Sequence, residues 1–162
     1  DHQETRSVQD YGLIGEVADE VRIMAYDYTL QSSKTPGPIG PLYWISDVLD
    51  YAVKHIPKEK IWLGVHLYGY QWQMHPTSES RTIAITYTTM NTFFSSPTVV
   101  EEPLFDEAIG EKYVKFGSTG GYTNEIYYQD AQGVNMRRDI AKEHGIAGVS
   151  YWRLGGELDI LK

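Results

Sequence analysis

Three mostly apolar runs, each followed at once by polar aromatic residues, constrain the fold of this 162-residue chain more than any other feature. The runs lie at residues 21–26 ("VRIMAY"), 60–67 ("KIWLGVHL") and 145–152 ("GIAGVSYW"). A strand without polar alternation is typical of a parallel sheet that is covered on both faces. The sequence therefore predicts three parallel strands in an α/β protein.

Helical patterns lie between these strands. Apolar residues recur at helical spacing after the first run, at Leu42, Ile45, Val48, Leu49, Ala52, Val53 and Ile56. The stretch "GVNMRRDIAKEHG" predicts a second helix before the third strand, with Gly145 as its C-terminal cap. Strand, helix and strand in this order predict β-α-β units.

Residues 81–130 have a different pattern. "TIAITYT" alternates like a strand, "TTMNTFFSS" fits a short helix, and "EKYVKFGSTGGYTNEIYYQD" fits a hairpin turning at its glycines. We therefore expect a partial (β/α) barrel over 1–80 and 131–162, with an α+β insertion subdomain at 81–130.

Composition narrows the classes of partner. A formal charge of −8 argues against a nucleic-acid partner, because binding a phosphate backbone needs a cationic surface. No apolar stretch is long enough to predict a membrane span. The five histidines show no metal-ligand spacing and cysteine is absent, so no metal and no cofactor is predicted. The 13 Tyr and 4 Trp, against only 4 Phe, favour a wet surface on which sugars stack.

All three runs end in side chains suited to such a surface. Tyr26, Asp27 and Tyr28 follow the first run, Tyr68, Tyr70, Gln71 and Trp72 follow the second, and Trp152 and Arg153 close the third. Ligands of parallel β/α folds bind at the carboxyl ends of the strands. The sequence thus predicts one site there, unless the rings only cap the core and Asp27 only caps its loop.

The quoted stretches resemble those of glycoside hydrolase family 18, the chitinase-like enzymes. "VRIMAYDY", "IWLGVHLYGYQW" and "GIAGVSYWRLGGE" resemble its sixth, seventh and eighth barrel strands. The run "EIYYQDAQGVNMRRDIAKEHGIAGVSYWRLGG" is most similar to bacterial spore-cortex and cell-wall members. The resemblance implies the C-terminal part, about strands six to eight, of a TIM (β/α)8 barrel with a small α+β insertion.

The resemblance also implies roles for the site residues. The family cleaves β-1,4 links next to N-acetylated sugars, and the substrate's own acetamido group attacks the anomeric carbon. Tyr26 would bind the acetamido oxygen, and Asp27 would hold a sugar hydroxyl or a neighbouring catalytic acid. Trp152 would form an apolar floor under the sugar.

Other residues would form the surroundings of that site. The substrate-binding wall and rim would comprise Tyr28, Tyr68, Tyr70, Gln71, Trp72, Arg153 and Glu157.

The general acid of the family is missing from this sequence. The family supplies it as the Glu that closes a D-x-x-D-x-D-x-E motif, and no such motif occurs here. The closest stretch, "DVLDYAVKH" from Asp47, has Ala52 and Lys54 at the motif's last positions and helical apolar spacing. Because a whole barrel needs about 250 residues, we expect a partial barrel that is inactive alone and is completed by its N-terminal part or a second copy.

Three functions stay open at this point. The first is a glycosidase part that acts on chitin or peptidoglycan, extracellular and associated with a cell wall or spore. The second is a non-catalytic carbohydrate-binding or scaffolding protein with the same cleft. The third is an unrelated β/α domain whose aromatic residues are structural.

Overall fold

The computed structural model describes residues 9–95, 101–157 and 160–161. Residues 1–8 and 96–100, which fall within the expected ranges 1–80 and 81–130, lie outside the described residues, as do 158, 159 and 162. The helices are α1 Tyr11–Val17, α2 Leu42–His55, α3 Tyr87–Phe94 and α4 Ala131–His144. The strands are β1 Val21–Ile23, β2 Ile61–His66, β3 Tyr68–Met74, β4 Arg81–Thr86, β5 Leu104–Asp106, β6 Glu111–Ser118, β7 Tyr122–Tyr128 and β8 Gly148–Trp152.

A parallel sheet in the order β1-β2-β8 forms one half of the molecule. Ile23 of β1 pairs with Leu63 of β2, and Leu63 pairs in turn with Val149 of β8. The central strand is the most buried, since Ile61, Leu63 and Val65 are each 0% exposed. The α/β class predicted from the three apolar runs is confirmed, whereas their numbering as barrel strands six to eight stays a prediction.

Two long helices cover this sheet, as the helical spacing predicted. Ile45, Leu49 and Ala52 form the buried face of α2. Helix α4 begins at Asp130, whose side chain accepts a hydrogen bond from the Gly133 amide at 3.0 Å. It ends at Gly145, which adopts the left-handed conformation (φ 68°) that favours glycine. The residues from Asp47 to His55 lie within α2, in agreement with their helical spacing.

An antiparallel sheet in the order β4-β3-β7-β6-β5 forms the other half. Strand β4, helix α3 and the β6–β7 hairpin lie where the sequence predicted a strand, a short helix and a hairpin. One face of this sheet packs Ile85, Val114 and Ile126 against Met90 of α3. On the other face Tyr70 and Trp72 pack against Ile39, in the loop that joins β1 to α2.

The first strand along the chain in this sheet begins before the expected boundary at residue 81. Residues Tyr68–Met74 form β3, which pairs with both β4 and β7. Only Leu67 separates β3 from β2, so the chain passes from the parallel sheet to the antiparallel one almost without a loop. The carboxyl end of β2 therefore continues directly into β3 of the antiparallel sheet. None of the described helices is both long and apolar enough to cross a membrane.

Candidate active site

Asp27 is the centre of the candidate site. It lies in the loop after β1 and has a left-handed backbone conformation (φ 60°), which is uncommon for a residue other than glycine but tolerated by Asp. Its Oδ1 atom accepts a hydrogen bond from the Tyr70 hydroxyl at 2.7 Å and another from the Tyr68 hydroxyl. The turn of the backbone therefore directs the carboxylate at two phenols of β3.

The phenols around Asp27 are held in their neutral, hydrogen-bond-donating form. Burial, with the hydrogen bond to Asp27, raises the pKa of Tyr70 to about 12 and raises the pKa of Tyr68 further. Burial, followed by the charge of Asp27, also raises the pKa of Tyr26. The Tyr26 ring meets the Tyr68 ring edge-on, with centroids 6.3 Å apart. Three protonated phenols thus surround one carboxyl group.

Trp152 lines a small cavity together with Asp27, Tyr68 and Tyr70. It is the last residue of β8, its side chain is 56% exposed, and its carbonyl accepts a hydrogen bond from Leu67 at 2.7 Å. We name this cavity of about 340 Å³ the aromatic cleft. Its lining includes Asp27, Gln31, Tyr68, Tyr70, Ala84, Trp152 and Arg153. An exposed indole beside phenols and a carboxyl group can stack on a sugar ring while polar groups bind its hydroxyls.

A larger cavity of about 880 Å³ adjoins the aromatic cleft. The two cavities share Asp27, Gln31 and Tyr70 in their linings. The remaining lining of the larger cavity includes Leu30, Ser33, Lys34, Trp72, Met74 and Thr82. Because both cavities contact Asp27, a ligand longer than one ring could contact this residue while occupying both.

The structure brings together most of the residues that the sequence predicted for the site, but not all of them. Gln71 lies on the opposite face of β3, since neighbouring strand residues alternate, and it donates to Asn124 Oδ1 at 2.9 Å. Tyr28 packs against Tyr43 and Trp44 of α2. These two residues lie outside the lining of the aromatic cleft, and so does Tyr26, which adjoins it through its ring contact with Tyr68.

Two further predicted residues form hydrogen bonds to backbone groups. Trp72 is 2% exposed and donates its indole N–H to the Ser33 carbonyl at 2.9 Å, so it supports the loop beneath the larger cavity. Glu157 accepts a hydrogen bond from the Gly155 amide. Their assignment to substrate binding stays a prediction.

A buried charged cluster next to the site was not predicted from the sequence as a unit. Glu111, Arg137 and His66 are each 0% exposed, and Arg137 Nη2 lies 3.2 Å from Glu111 Oε1. The sequence did contain a signal, because Arg137 occupies the same helix face as the buried Val134 and Ala141. An arginine on an apolar helix face needs a buried partner, but nothing in the local pattern identifies Glu111.

Burial shifts all three titrating groups of this cluster towards their neutral forms. Burial raises the pKa of Glu111, an effect opposed by Arg137 and by two backbone N–H groups. Burial, and then the charge of Arg137, lowers the pKa of His66 well below its ordinary value. The imidazole is therefore neutral at physiological pH. Burial also lowers the pKa of Arg137, to about 10.

A parallel sheet whose strands are joined by helices, with a cleft at the carboxyl ends of the strands, places the chain in the α/β class. The protein-family model for glycosyl hydrolases family 18 matches residues 1–157 of this chain. The chain therefore belongs to glycoside hydrolase family 18, which confirms the resemblance seen in its strand motifs.

Individual relatives include proteins of spore-forming bacteria. The cortical fragment-lytic enzyme of Bacillus anthracis is 29% identical over 146 residues, which are 90% of this chain and 34% of that protein. The crystal structure of the spore cortex-lytic enzyme SleL of Bacillus cereus has a TM-score of 0.80 at 27% identity, covering 91% of this chain and 34% of that one. This chain thus spans about a third of the length of these relatives.

A chitinase structure shows the same fold. The chitinase of Chromobacterium violaceum has a TM-score of 0.86 at 24% identity, covering 99% of this chain and 49% of that one. At this identity the likeness concerns the fold alone.

Proposed function

We propose that this chain is the part of a family 18 glycosidase that binds and steadies the reacting N-acetylated sugar of a β-1,4-linked glycan, peptidoglycan or chitin. The observation that carries the proposal is the Asp27 carboxyl group, held by the Tyr68 and Tyr70 hydroxyls in one cleft with an exposed Trp152. The spore cortex-lytic relatives support peptidoglycan as the substrate. On this reading the parent protein is extracellular, in a cell wall or spore.

The proposed chemistry is substrate-assisted and retaining. The Tyr26 hydroxyl binds the acetamido oxygen and stabilises the oxazolinium ion that develops as this oxygen attacks the anomeric carbon. Asp27 accepts a hydrogen bond from a sugar hydroxyl or from the catalytic acid. Trp152 excludes water below the ring. The proton for the leaving oxygen comes from a residue outside this sequence, in the part that completes the barrel.

Sugar binding by this chain is the first test. We expect calorimetry to detect binding of N,N′,N″,N‴-tetraacetylchitotetraose and much weaker binding of cellotetraose, which lacks the acetamido groups. Trp152→Ala and Asp27→Asn should each weaken binding of the acetylated tetramer. A matched control is Tyr51→Ala, because Tyr51 is an aromatic residue on α2 that is 46% exposed and packs against Tyr11 and His55. Equal affinity for both tetramers would contradict the proposal.

Turnover separates the enzyme from a binding protein with the same cleft. In a protein that contains the catalytic acid, Tyr26→Phe and Asp27→Asn should lower kcat by at least about 100-fold, the usual loss when one transition-state hydrogen bond is removed. Both variants should raise KM far less than they lower kcat, whereas Trp152→Ala should change both constants. If all three variants stay within about twofold of the wild type, the assignment of these residues is wrong.

A non-catalytic sugar-binding protein is the second candidate. Its support is the aromatic cleft itself, because an exposed Trp152 beside Tyr68, Tyr70 and Asp27 can bind a sugar without a catalytic acid. If this candidate is correct, the complete protein binds acetylated sugars but does not hydrolyse them.

A further inference from the structure

A buried ion pair connects the insertion to the helical layer behind the site. Glu111 is the first residue of β6 and Arg137 lies in the middle of α4, with 3.2 Å between Nη2 and Oε1. Arg137 Nη1 also donates to the Gly110 carbonyl at 2.7 Å and to the Gly133 carbonyl at 3.0 Å. The guanidinium group is therefore fixed in place by backbone groups on both sides.

The carboxylate of this pair binds the loop that joins β1 to α2. Its Oε2 accepts from the Ile39 amide at 3.0 Å, and its Oε1 accepts from the Gly40 amide at 2.7 Å. Arg137 Nη2 donates to the Gly40 carbonyl. A side chain at position 40 would fit only tightly, because its Cβ would lie 3.1 Å from the Ala25 carbonyl oxygen and 3.2 Å from the His66 ring. The loop thus fits the ion pair closely through its backbone.

The same loop segment holds the backbone next to Asp27. Tyr28 donates its amide to the Ile39 carbonyl at 2.8 Å, and Thr29 donates to the Pro38 carbonyl at 3.2 Å. Ile39 therefore bonds Glu111 through its N–H and Tyr28 through its carbonyl. The Tyr28 N–H belongs to the peptide bond that directly follows Asp27, so this contact holds the backbone at Asp27 itself.

His66 provides a second path from the pair to the site. Its Nε2 atom lies 3.5 Å from Glu111 Oε1, and its ring meets the Tyr68 ring with centroids 5.5 Å apart. Among the described residues neither ring nitrogen has a hydrogen-bond partner. The imidazole is held by packing alone, between Glu111 and a phenol that donates to Asp27.

We propose that Glu111 and Arg137 are positioning residues, whose buried ion pair fixes the loop from Tyr28 to Gly40 and thereby holds the Asp27 carboxylate between Tyr68 and Tyr70. The role assigned to Asp27 rests on the proposed function, whereas the mechanical connection does not. Removal of the pair should therefore change the motion of the loop even when no sugar is present.

Amide hydrogen exchange of this chain tests the connection directly. In Glu111→Gln an NH2 group replaces one carboxylate oxygen, so either the Ile39 or the Gly40 amide loses its acceptor. We expect the loop to open more often, and the Tyr28 and Thr29 amides to exchange at least about tenfold faster than in the wild type. The amide of Leu63, at the centre of β2, reports global unfolding and should change much less. The control is Glu125→Gln, which removes a carboxylate from the neighbouring strand β7 where it pairs with the exposed Lys115.

If Glu111→Gln does not fold, Arg137→Lys provides a second test of the same connection. It keeps the positive charge but loses the planar fork, and should also accelerate exchange at Tyr28 more than at Leu63. Equal acceleration at Tyr28 and Leu63, or unchanged exchange at Tyr28, would overturn the proposal. A selective effect on exchange without weaker binding of the acetylated tetramer would keep the connection and reject the role given to Asp27.

Discussion

At the scale of single residues, Asp27 and the phenols of Tyr68 and Tyr70 depend on one another. Each hydroxyl donates to the same carboxylate oxygen. Ionisation of either phenol would remove a donor and place a second negative charge beside the carboxylate. The geometry is therefore stable only while both phenols keep their protons.

This dependence predicts a loss of stability at alkaline pH. The folded state holds the pKa of Tyr70 at about 12, above the ordinary value of 10.0. The stabilisation by the protonated Tyr70 hydroxyl is complete below pH 10, where Tyr70 is protonated in both the folded and the unfolded chain. It is lost as the pH rises from 10 towards 12, because only the unfolded chain ionises there. One such tyrosine contributes a slope of about 1.4 kcal/mol per pH unit.

Urea unfolding of the wild type and Tyr70→Phe between pH 9 and pH 11 measures this effect. The variant should be less stable at pH 9 by about 1.5–3 kcal/mol, the usual contribution of a hydrogen bond to a charged group. Its stability should fall less steeply above pH 10. Identical slopes for the two proteins would show that Tyr70 does not ionise differently on unfolding.

The position of Asp27 could be predicted from the sequence, but its partners could be predicted only as a group. An apolar run that ends in Tyr-Asp-Tyr places the carboxylate at a strand end. Which aromatic residues of β3 face it depends on strand alternation, and this separates Tyr68 and Tyr70 from Gln71. Because the start of β3 was not predicted, its alternation could not be used.

At the scale of elements, the pairing of β3 with β7 limits which residues can occupy position 69. Gly69 lies opposite Tyr128, and a Cβ there would overlap the Tyr127 carbonyl and the Tyr128 side chain. The two strands therefore approach each other more closely than a side chain allows. Any such side chain would force apart the sheet that carries Tyr68 and Tyr70.

We expect Gly69→Ala to lower the free energy of unfolding by about 1–3 kcal/mol, the usual cost of overpacking. Gly117→Ala is the matched control, because a Cβ at Gly117 in β6 meets nothing within 4 Å. The control should stay within about 0.5 kcal/mol of the wild type in the same urea titration. Equal effects of the two variants would contradict the close approach of β3 and β7.

The helices and strands that could be predicted from the sequence have a clear hydrophobic period or recognisable capping or turn residues at their ends. Helix α4 has a cap at each end, and the β6–β7 hairpin has glycines at its turn. Strand β3 was not predicted as a separate strand because no turn residues divide it from β2. Helix α1 was not predicted because its seven residues include two glycines, which are poor helix formers.

At the scale of the whole molecule, the parallel sheet is open on both sides. Within the described residues, β1 and β8 each pair with β2 alone. An unpaired strand edge binds other strands. Met24, just beyond β1, is 70% exposed and adds an apolar side chain to that edge.

We therefore expect this chain to associate with itself as its concentration rises, which light scattering after size-exclusion chromatography will measure. Met24→Lys should reduce association by placing a charge at the edge. Leu104→Lys is the matched control, since Leu104 is 71% exposed on β5 of the antiparallel sheet. A monomer at all concentrations, or an equal effect of both variants, would contradict association through β1.

The backbone of Asp27 has a consequence for protein engineering. Glycine adopts this left-handed conformation without steric cost, but Gly at position 27 would leave the Tyr68 and Tyr70 hydroxyls without their shared acceptor. That replacement would relax the turn and discard the carboxylate at the same time. Libraries intended to make this domain more robust should therefore hold position 27 constant, because a design rule that places glycine wherever φ is positive would lose both hydrogen bonds here.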